Sequence, residues 1–396
     1  MKRREFLAAA TGGLALSALS SRRVLGANDR LGVALIGSGR RGREVMKAFL
    51  ATGRVELRCI ADIYDVQRQR AREALGVTPP ETAIHEEALA RKDVDAVLIG
   101  SPDHLHLPLT LAALAAGKHV YMEKPTTHVF DEGAQLIAAV RKSGKVCQTG
   151  TQQRSGAHYR RAKAEYFDTG KLGKVVFVRA SWSDFPWQRR KIAPAPQPAG
   201  FDWNRFIGPA KKVPYEWIRY DSWRYFPDYG GGLLADILTH WSDVAQWFLN
   251  ETRPQSAVAT GGIYQLHDGR ENPDTVSAIL QYAGGWNLQF ESSVLTVKTD
   301  RPSVFFQGTE GSLDIARDGY VYRPNKGEPV EVSSKENLEI AHVTEFLDAV
   351  KEGRKPSADI EIGVQACNPI HLAKIAYWRK KRMRFDPQGL RIEEDI

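Results

Sequence analysis

The chain is poor in cysteine and methionine, with three of the first and four of the second in 396 residues. Cys59, Cys147 and Cys367 make no disulfide framework and show no paired metal-ligand spacing. Cys59 and Cys147 fall in apolar, strand-like runs and read as buried thiols. A long hydrophobic run is also missing. The mild apolar stretch Ala8 to Leu16 is too short, and too rich in Gly and Ala, to span a bilayer. A dense basic stripe is missing as well. Of the net charge of +8, half sits in residues 1–27, where Lys2, Arg3, Arg4, Arg22 and Arg23 face Glu5 alone. The rest is spread along the chain, so no nucleic-acid partner is expected. What remains is an ordinary soluble composition, 42% apolar and 26% charged, with length enough for two cores.

The first residues read as a targeting segment. Arg3-Arg4 precedes Glu5-Phe6-Leu7 and the weak apolar run, a pattern that resembles a twin-arginine export signal. An ordinary basic N-terminus or an uncleaved anchor are the plainer readings. Small residues at Ala18-Leu19-Ser20 and at Gly26-Ala27 offer two cleavage sites. The expectation is a periplasmic protein whose only membrane association is this segment. A protein folded before export has no need of disulfides.

Beyond residue 30, short apolar runs alternate with helical stretches. Strands are expected at 32–36, 55–61, 96–99, 119–122 and 146–149, with helices between them, which is the pattern of a doubly wound parallel sheet. Gly37-Ser38-Gly39-Arg40-Arg41-Gly42 follows the first strand and opens a helix, and Asp62 ends the next strand 20 residues beyond Gly42. Gly37 would make the tight turn, Gly39 would admit a pyrophosphate, and Gly42 would let helix and sheet pack closely. Asp62 would accept the adenosine ribose hydroxyls and repel a 2′-phosphate, which favours NAD. Arg40 and Arg41 keep NADP as the alternative.

The run Asp95 to Pro125 contains Ser101-Pro102, His106, Ala116-Gly117-Lys118-His119-Val120 and Glu123-Lys124-Pro125. Further on stand Gly150-Thr151-Gln152-Gln153-Arg154 and Gly230-Gly231-Gly232, followed by Asp236 and His240. In content and order these motifs resemble the glucose–fructose oxidoreductase / inositol dehydrogenase (Gfo/Idh/MocA) family, from about Leu31 to the C-terminal helix. The resemblance implies an α/β fold: an N-terminal Rossmann domain, residues 28–150, and a C-terminal α/β domain, residues 151–396, with a large, mostly antiparallel open sheet. The alternating runs 175–181, 256–264, 276–282, 286–295 and 303–307 agree with it. A homo-oligomer, dimer or tetramer, is implied because family subunits often cover each other's open sheets. The resemblance also extends the dinucleotide contacts to Ser101, Pro102, His104, His106, Glu123, Lys124 and Gln152.

Oxidation of a secondary alcohol needs a hydride acceptor and a group to manage the hydroxyl proton. Lys124, at the carboxyl edge of the sheet, is placed to orient that hydroxyl and stabilise its developing negative charge. Asp236 and His240, four apart in an expected helix 233–249, face one side, with His240 as acid/base. Asp243 is a further candidate to orient His240. No metal is expected. The stretch 182–229 is dense in Trp, Tyr, Arg and Pro. Packing among its own aromatics accounts for most of it, while Arg224, Tyr229 and also Arg154 join Lys124, Asp236 and His240 as substrate-binding candidates. The leading expectation is hydride transfer between a sugar or polyol and a tightly held dinucleotide, since a periplasm supplies none. The alternative, an NAD-dependent glycosidase, is disfavoured by Asp236, because that subgroup usually carries Tyr-Pro-Thr-His there.

Overall fold

A computed structural model describes residues 30–183, 185, 188–295, 302–386 and 388–395. The targeting segment therefore lies outside the described residues, as does Trp187 of the aromatic stretch. Among the described residues no helix is long and apolar enough to cross a membrane.

The first sheet has six parallel strands: β1 (Leu31–Ile36), β2 (Val55–Ala61), β3 (Glu81–Thr82), β4 (Ala96–Ile99), β5 (His119–Met122) and β6 (Cys147–Thr149). Their order is β3-β2-β1-β4-β5-β6. Helices cover both faces, so β1, β4 and β5 are buried nearly throughout, which is why they read as unbroken apolar runs. The order reverses between β1 and β4, which opens a crevice at their carboxyl ends.

The second sheet has ten strands in the order β14-β13-β12-β11-β7-β10-β9-β8-β15-β16. They are β7 (Val175–Ser181), β8 (Ser256–Gly262), β9 (Thr275–Tyr282), β10 (Trp286–Ser293), β11 (Ser303–Gly308), β12 (Gly311–Ala316), β13 (Gly319–Pro324), β14 (Val330–Ser333), β15 (Met383–Phe385) and β16 (Ile392–Glu394). All neighbours are antiparallel except β7 and β10. One face packs on the helices Leu238–Leu249 and Ile360–Arg379, with Trp241, Phe248, Leu280, Phe290 and Phe306 in the shared core. Alternation of buried and exposed residues along β9 is strict, as a half-covered sheet requires.

The two cores are not sequential. Helix Leu338–Glu352 returns to the first sheet, where Val343, Phe346 and Leu347 pack on Val45, Met46 and Phe49 of helix Arg40–Ala51. Its His342 stands between the Thr149 carbonyl, at 2.7 Å, and the Ser155 hydroxyl, at 2.8 Å. This helix joins the wall of the first domain to the entrance of the second.

One expected element is broken. The helix read over 233–249 is two, Gly232–Asp236 and Leu238–Leu249, interrupted at Ile237. The break leaves the Asp236 carbonyl outside the regular ladder and open to another donor, and Lys124 supplies it.

Candidate active site

The dinucleotide turn is built as its glycines foretell. Gly37 has a φ of 82°, and a Cβ there would lie 2.7 Å from the Ser101 nitrogen on the adjoining loop. A Cβ on Gly42 would collide with the Gly37 carbonyl oxygen. At Gly39 a Cβ would meet nothing within 4 Å. The protein itself leaves that space open, while the helix Arg40–Ala51 has no side-chain cap and no acid in its first turn. Free N–H groups facing an open space suit an anion such as a pyrophosphate.

A cleft of about 660 Å³ runs from this turn along the carboxyl ends of the strands. Gly37, Gly39, Arg40, Asp62, Ser101 and Pro102 line it, in agreement with the sequence. Asp62 is fixed there: Oδ2 accepts from the Ser38 N–H at 2.7 Å and its hydroxyl at 3.1 Å, and Oδ1 accepts from the Tyr64 N–H at 3.0 Å. A carboxylate offers about four lone-pair sites, so capacity remains for a ribose hydroxyl. Burial raises the Asp62 carboxyl, against the lowering effect of the Tyr64 and Ser38 donors.

Several expected contacts fall elsewhere. Arg41 does not face the cleft; it forks onto Glu339 at 3.0 and 2.8 Å and reaches Glu123 at 3.0 Å. Gln152 joins the same cluster through Glu339 at 2.9 Å. These acids draw Arg41 in because a half-buried guanidinium is favoured beside paired carboxylates. The second arginine that argued for NADP is thereby withdrawn from the cleft. His104 is a core histidine. Its Nε2 lies 2.8 Å from the Phe206 carbonyl and its ring packs on Tyr229; burial pulls its pKa down to about 4. His106 spans two loops, its ring nitrogens 2.7 Å from the Pro125 carbonyl and 3.1 Å from that of Ser101. It therefore positions the cleft rather than lining it.

The substrate candidates also divide. Tyr229 is fully buried among Phe206, Phe226 and His104 and does not line the cleft. Arg154 forms a buried ion pair with Asp243, at 2.9 Å. Asp243 consequently does not orient His240. Each arginine or tyrosine fell to the same rule: a large side chain on an inward face is held by its nearest partner. Most of the aromatic stretch does the same, with Phe201, Trp203, Phe206, Tyr225 and Phe226 forming a satellite core. Tyr220, Trp223 and Tyr225 form a wall of the cleft, and Tyr64 meets Phe201 and Tyr220 edge-on beside Asp62. Arg43, bonded to the Ser38 carbonyl and to Gln67, is another lining residue that the motif did not mark.

The expected catalytic residues come together. Lys124 Nζ donates to Asp236 Oδ1 at 2.5 Å and to the Asp236 carbonyl at 2.8 Å. Arg224, stacked 4.1 Å from the Trp223 ring, donates to Asp236 Oδ2 at 3.1 Å. Burial alone would raise the Asp236 carboxyl. Arg224 and Lys124 outweigh it and hold the group far below the usual carboxylate range. His240 is 5% exposed; burial, then the charges of Lys124 and Arg317, push its pKa well below the ordinary value. It is a neutral imidazole at pH 7. Gln153 Oε1 lies 3.3 Å from its Nδ1 and Arg317 Nη2 lies 3.5 Å from its Nε2. Since Arg317 can only donate, the proton sits on Nδ1, pointing at Gln153. Neither Gln153 nor Arg317 carried a sequence signal as a partner of His240.

Known proteins resemble this chain in sequence and fold. Residues 31–151 fit the description "Oxidoreductase family, NAD-binding Rossmann fold", and residues 159–314 fit "GFO/IDH/MocA C-terminal domain". The chain belongs to the Gfo/Idh/MocA family. Among its relatives, 1,5-anhydro-D-fructose reductase of Ensifer adhaerens is 28% identical over 288 residues, 70% of this chain and 76% of that protein. Myo-inositol 2-dehydrogenase of Thermotoga maritima is 23% identical over 376 residues, 90% and 98% of the two chains. Levoglucosan dehydrogenase, solved with NADH and levoglucosan, has a TM-score of 0.70 at 20% identity and covers 90% of this chain and 99% of its own. Aldose-aldose oxidoreductase from Caulobacter crescentus, solved with glycerol, has a TM-score of 0.71 at 20% identity, covering 90% and 100%. As a Gfo/Idh/MocA member the protein is an NAD(P)-dependent oxidoreductase acting on CH–OH groups, and its first domain binds NAD.

Three substitutions test this geometry. Gly42→Ala is expected to cost about 1–3 kcal/mol in chemical unfolding, since the turn must shift. Gly39→Ala is expected to unfold like the wild type and yet to lose bound dinucleotide, read by absorbance after denaturation; a variant that retained it would refute the assignment of that space. Asp236→Asn strands the cations of Lys124 and Arg224, with Arg224 29% exposed, so about 3 kcal/mol of stability should be lost. Because the native carboxyl is depressed, its contribution is complete above the unfolded value of about 3.9 and lost as pH falls below it. The stability gap between wild type and Asp236→Asn should therefore be flat from about pH 5 to 8, begin to narrow below about pH 4 and go on narrowing toward the much lower native value.

Proposed function

We propose that the protein is an exported sugar or polyol dehydrogenase whose dinucleotide stays bound through turnover. The observation that carries this reading is the cluster of Lys124, Asp236, Arg224 and His240, whose Arg224 lines the same cleft as Gly37 and Gly39. Bound nicotinamide supplies the hydride acceptor or donor. Everything else is done by the chain's own side chains. Lys124, held by Asp236, presents a cation to the reacting oxygen and stabilises negative charge on it. His240, neutral at pH 7, takes the hydroxyl proton at Nε2 while its Nδ1–H stays on Gln153. Asp236 serves by positioning Lys124 and Arg224, and its remaining acceptor capacity suits a substrate hydroxyl. The relatives' names, inositol dehydrogenases and a sugar reductase, support a polyhydroxylated substrate.

Export rests on the Arg3-Arg4 segment. A dinucleotide carried out with the folded chain must be recycled in place, by oxidation of one substrate and reduction of a second. Denaturing the periplasmic protein should release NAD or NADH in near-equal amount to protein. Lys124→Ala should lower kcat at least about 100-fold, within the range that positioned charged groups supply. The acid limb of kcat/KM should fall below the ordinary histidine range. Full turnover by Lys124→Ala would end this mechanism, and unchanged export after Arg3→Lys with Arg4→Lys would end the twin-arginine reading.

A second copy of the chain is the expected partner. On the uncovered face of the large sheet Val258 and Ile279 are paired in register and 42% and 45% exposed. An open sheet presenting paired apolar residues calls for cover. Light scattering should give a dimer or tetramer, and Val258→Asp with Ile279→Asp should dissociate it; a monomeric wild type would overturn this.

A further inference from the structure

Arg317 follows β12 and lies on the far side of His240 from Gln153. Its guanidinium stacks 4.8 Å from the centroid of Trp182, and its Nε is buried with no hydrogen-bond partner. Among the described residues no carboxylate pairs with it. The acids whose charge reaches it, Glu339 and Glu123, are both taken by Arg41. Arg317 is partly buried and has no anion, whereas two other arginines near this junction are matched: Arg154 by Asp243, Arg41 by two glutamates. Around the reacting position Lys124 and Arg224 both bond to Asp236, and the buried Asp103 is the other carboxylate their charges reach, so with Arg317 three cations stand against two acids.

We propose that Arg317 receives a carboxylate of the substrate, so that the oxidised molecule is a sugar acid rather than a neutral polyol. This rests on the dehydrogenase reading above and names the substrate class for that site. The two Nη groups of a guanidinium, unlike its enclosed Nε here, can take a carboxylate in a bidentate pair. The same pairing draws Nη2 away from His240 Nε2. That nitrogen is the one whose lone pair must be free to take the hydroxyl proton. Binding of the acid and release of the base are therefore one event, and a neutral sugar leaves Arg317 on the histidine.

The test is calorimetric titration of the dinucleotide-loaded protein with D-glucuronate, D-galacturonate and D-mannuronate, each against its neutral hexose, and with D-glucose 6-phosphate. At least one uronate is expected to bind about 10- to 100-fold more tightly than its hexose, the range of a charge-assisted pair. Arg317→Met should abolish that preference and Arg317→Lys should restore part of it. The wild-type arm stands even where a variant fails to fold. Equal or better binding of the hexoses, a preference for the phosphate, binding of none of these, or a preference that survives Arg317→Met overturns the proposal. Absence of any releasable dinucleotide is a separate outcome, which sinks the reading beneath it.

Discussion

One carboxylate organises the catalytic end of the molecule. Asp236 ends a five-residue helix at the break before Ile237, and it is gripped from two sides by cations that belong to different parts of the chain. Lys124 comes from the loop after β5 in the first domain, and Arg224 from the aromatic segment of the second. Lys124 also satisfies the main-chain carbonyl that the helix break exposes. A single buried anion therefore fixes the distance between the dinucleotide domain and the substrate domain at the point where chemistry must occur. Without it, two cations would repel each other in a poorly solvated space.

A second ionic cluster holds the back of the same junction. Arg41 leaves the dinucleotide turn to meet Glu123, beside Lys124, and Glu339, on the helix that returns from the C-terminal part of the chain. Three segments far apart in sequence converge there, and Gln152 closes the ring through Glu339. The cleft wall gains its shape from aromatic packing, with Tyr64 on one side and Phe201 and Tyr220 on the other.

His240 illustrates how environment, rather than identity, sets a side chain's role. Its neighbours are two cations, a neutral amide and a carboxylate already committed elsewhere. Burial and the cations both disfavour the imidazolium, so the ring rests as a base. His104 and His106, marked by the same motif, serve packing and loop bracing instead. His240 was expected as the acid/base and the other two as dinucleotide contacts; burial and the nearby cations keep the His240 ring neutral, while carbonyl partners hold the other two.

Local rules settled much of this protein before any tertiary contact was considered. The parallel sheet, the turn at Gly37 to Gly42 and the placement of Asp62 follow from apolar period and glycine spacing, each a property of neighbouring residues. The meeting of Lys124 with Asp236 and His240 is implied only by the family resemblance, and the fold makes it across more than a hundred residues. Tertiary structure alone decided the partners of long charged side chains. Arg41, Arg154 and Tyr229 were drawn into the interior by Glu339, Asp243 and Phe206, none of them near in sequence. Arg317 and Gln153 were brought to His240 from other elements. A flexible arginine reaches whichever anion folding carries to it, and that choice is made only when distant segments meet.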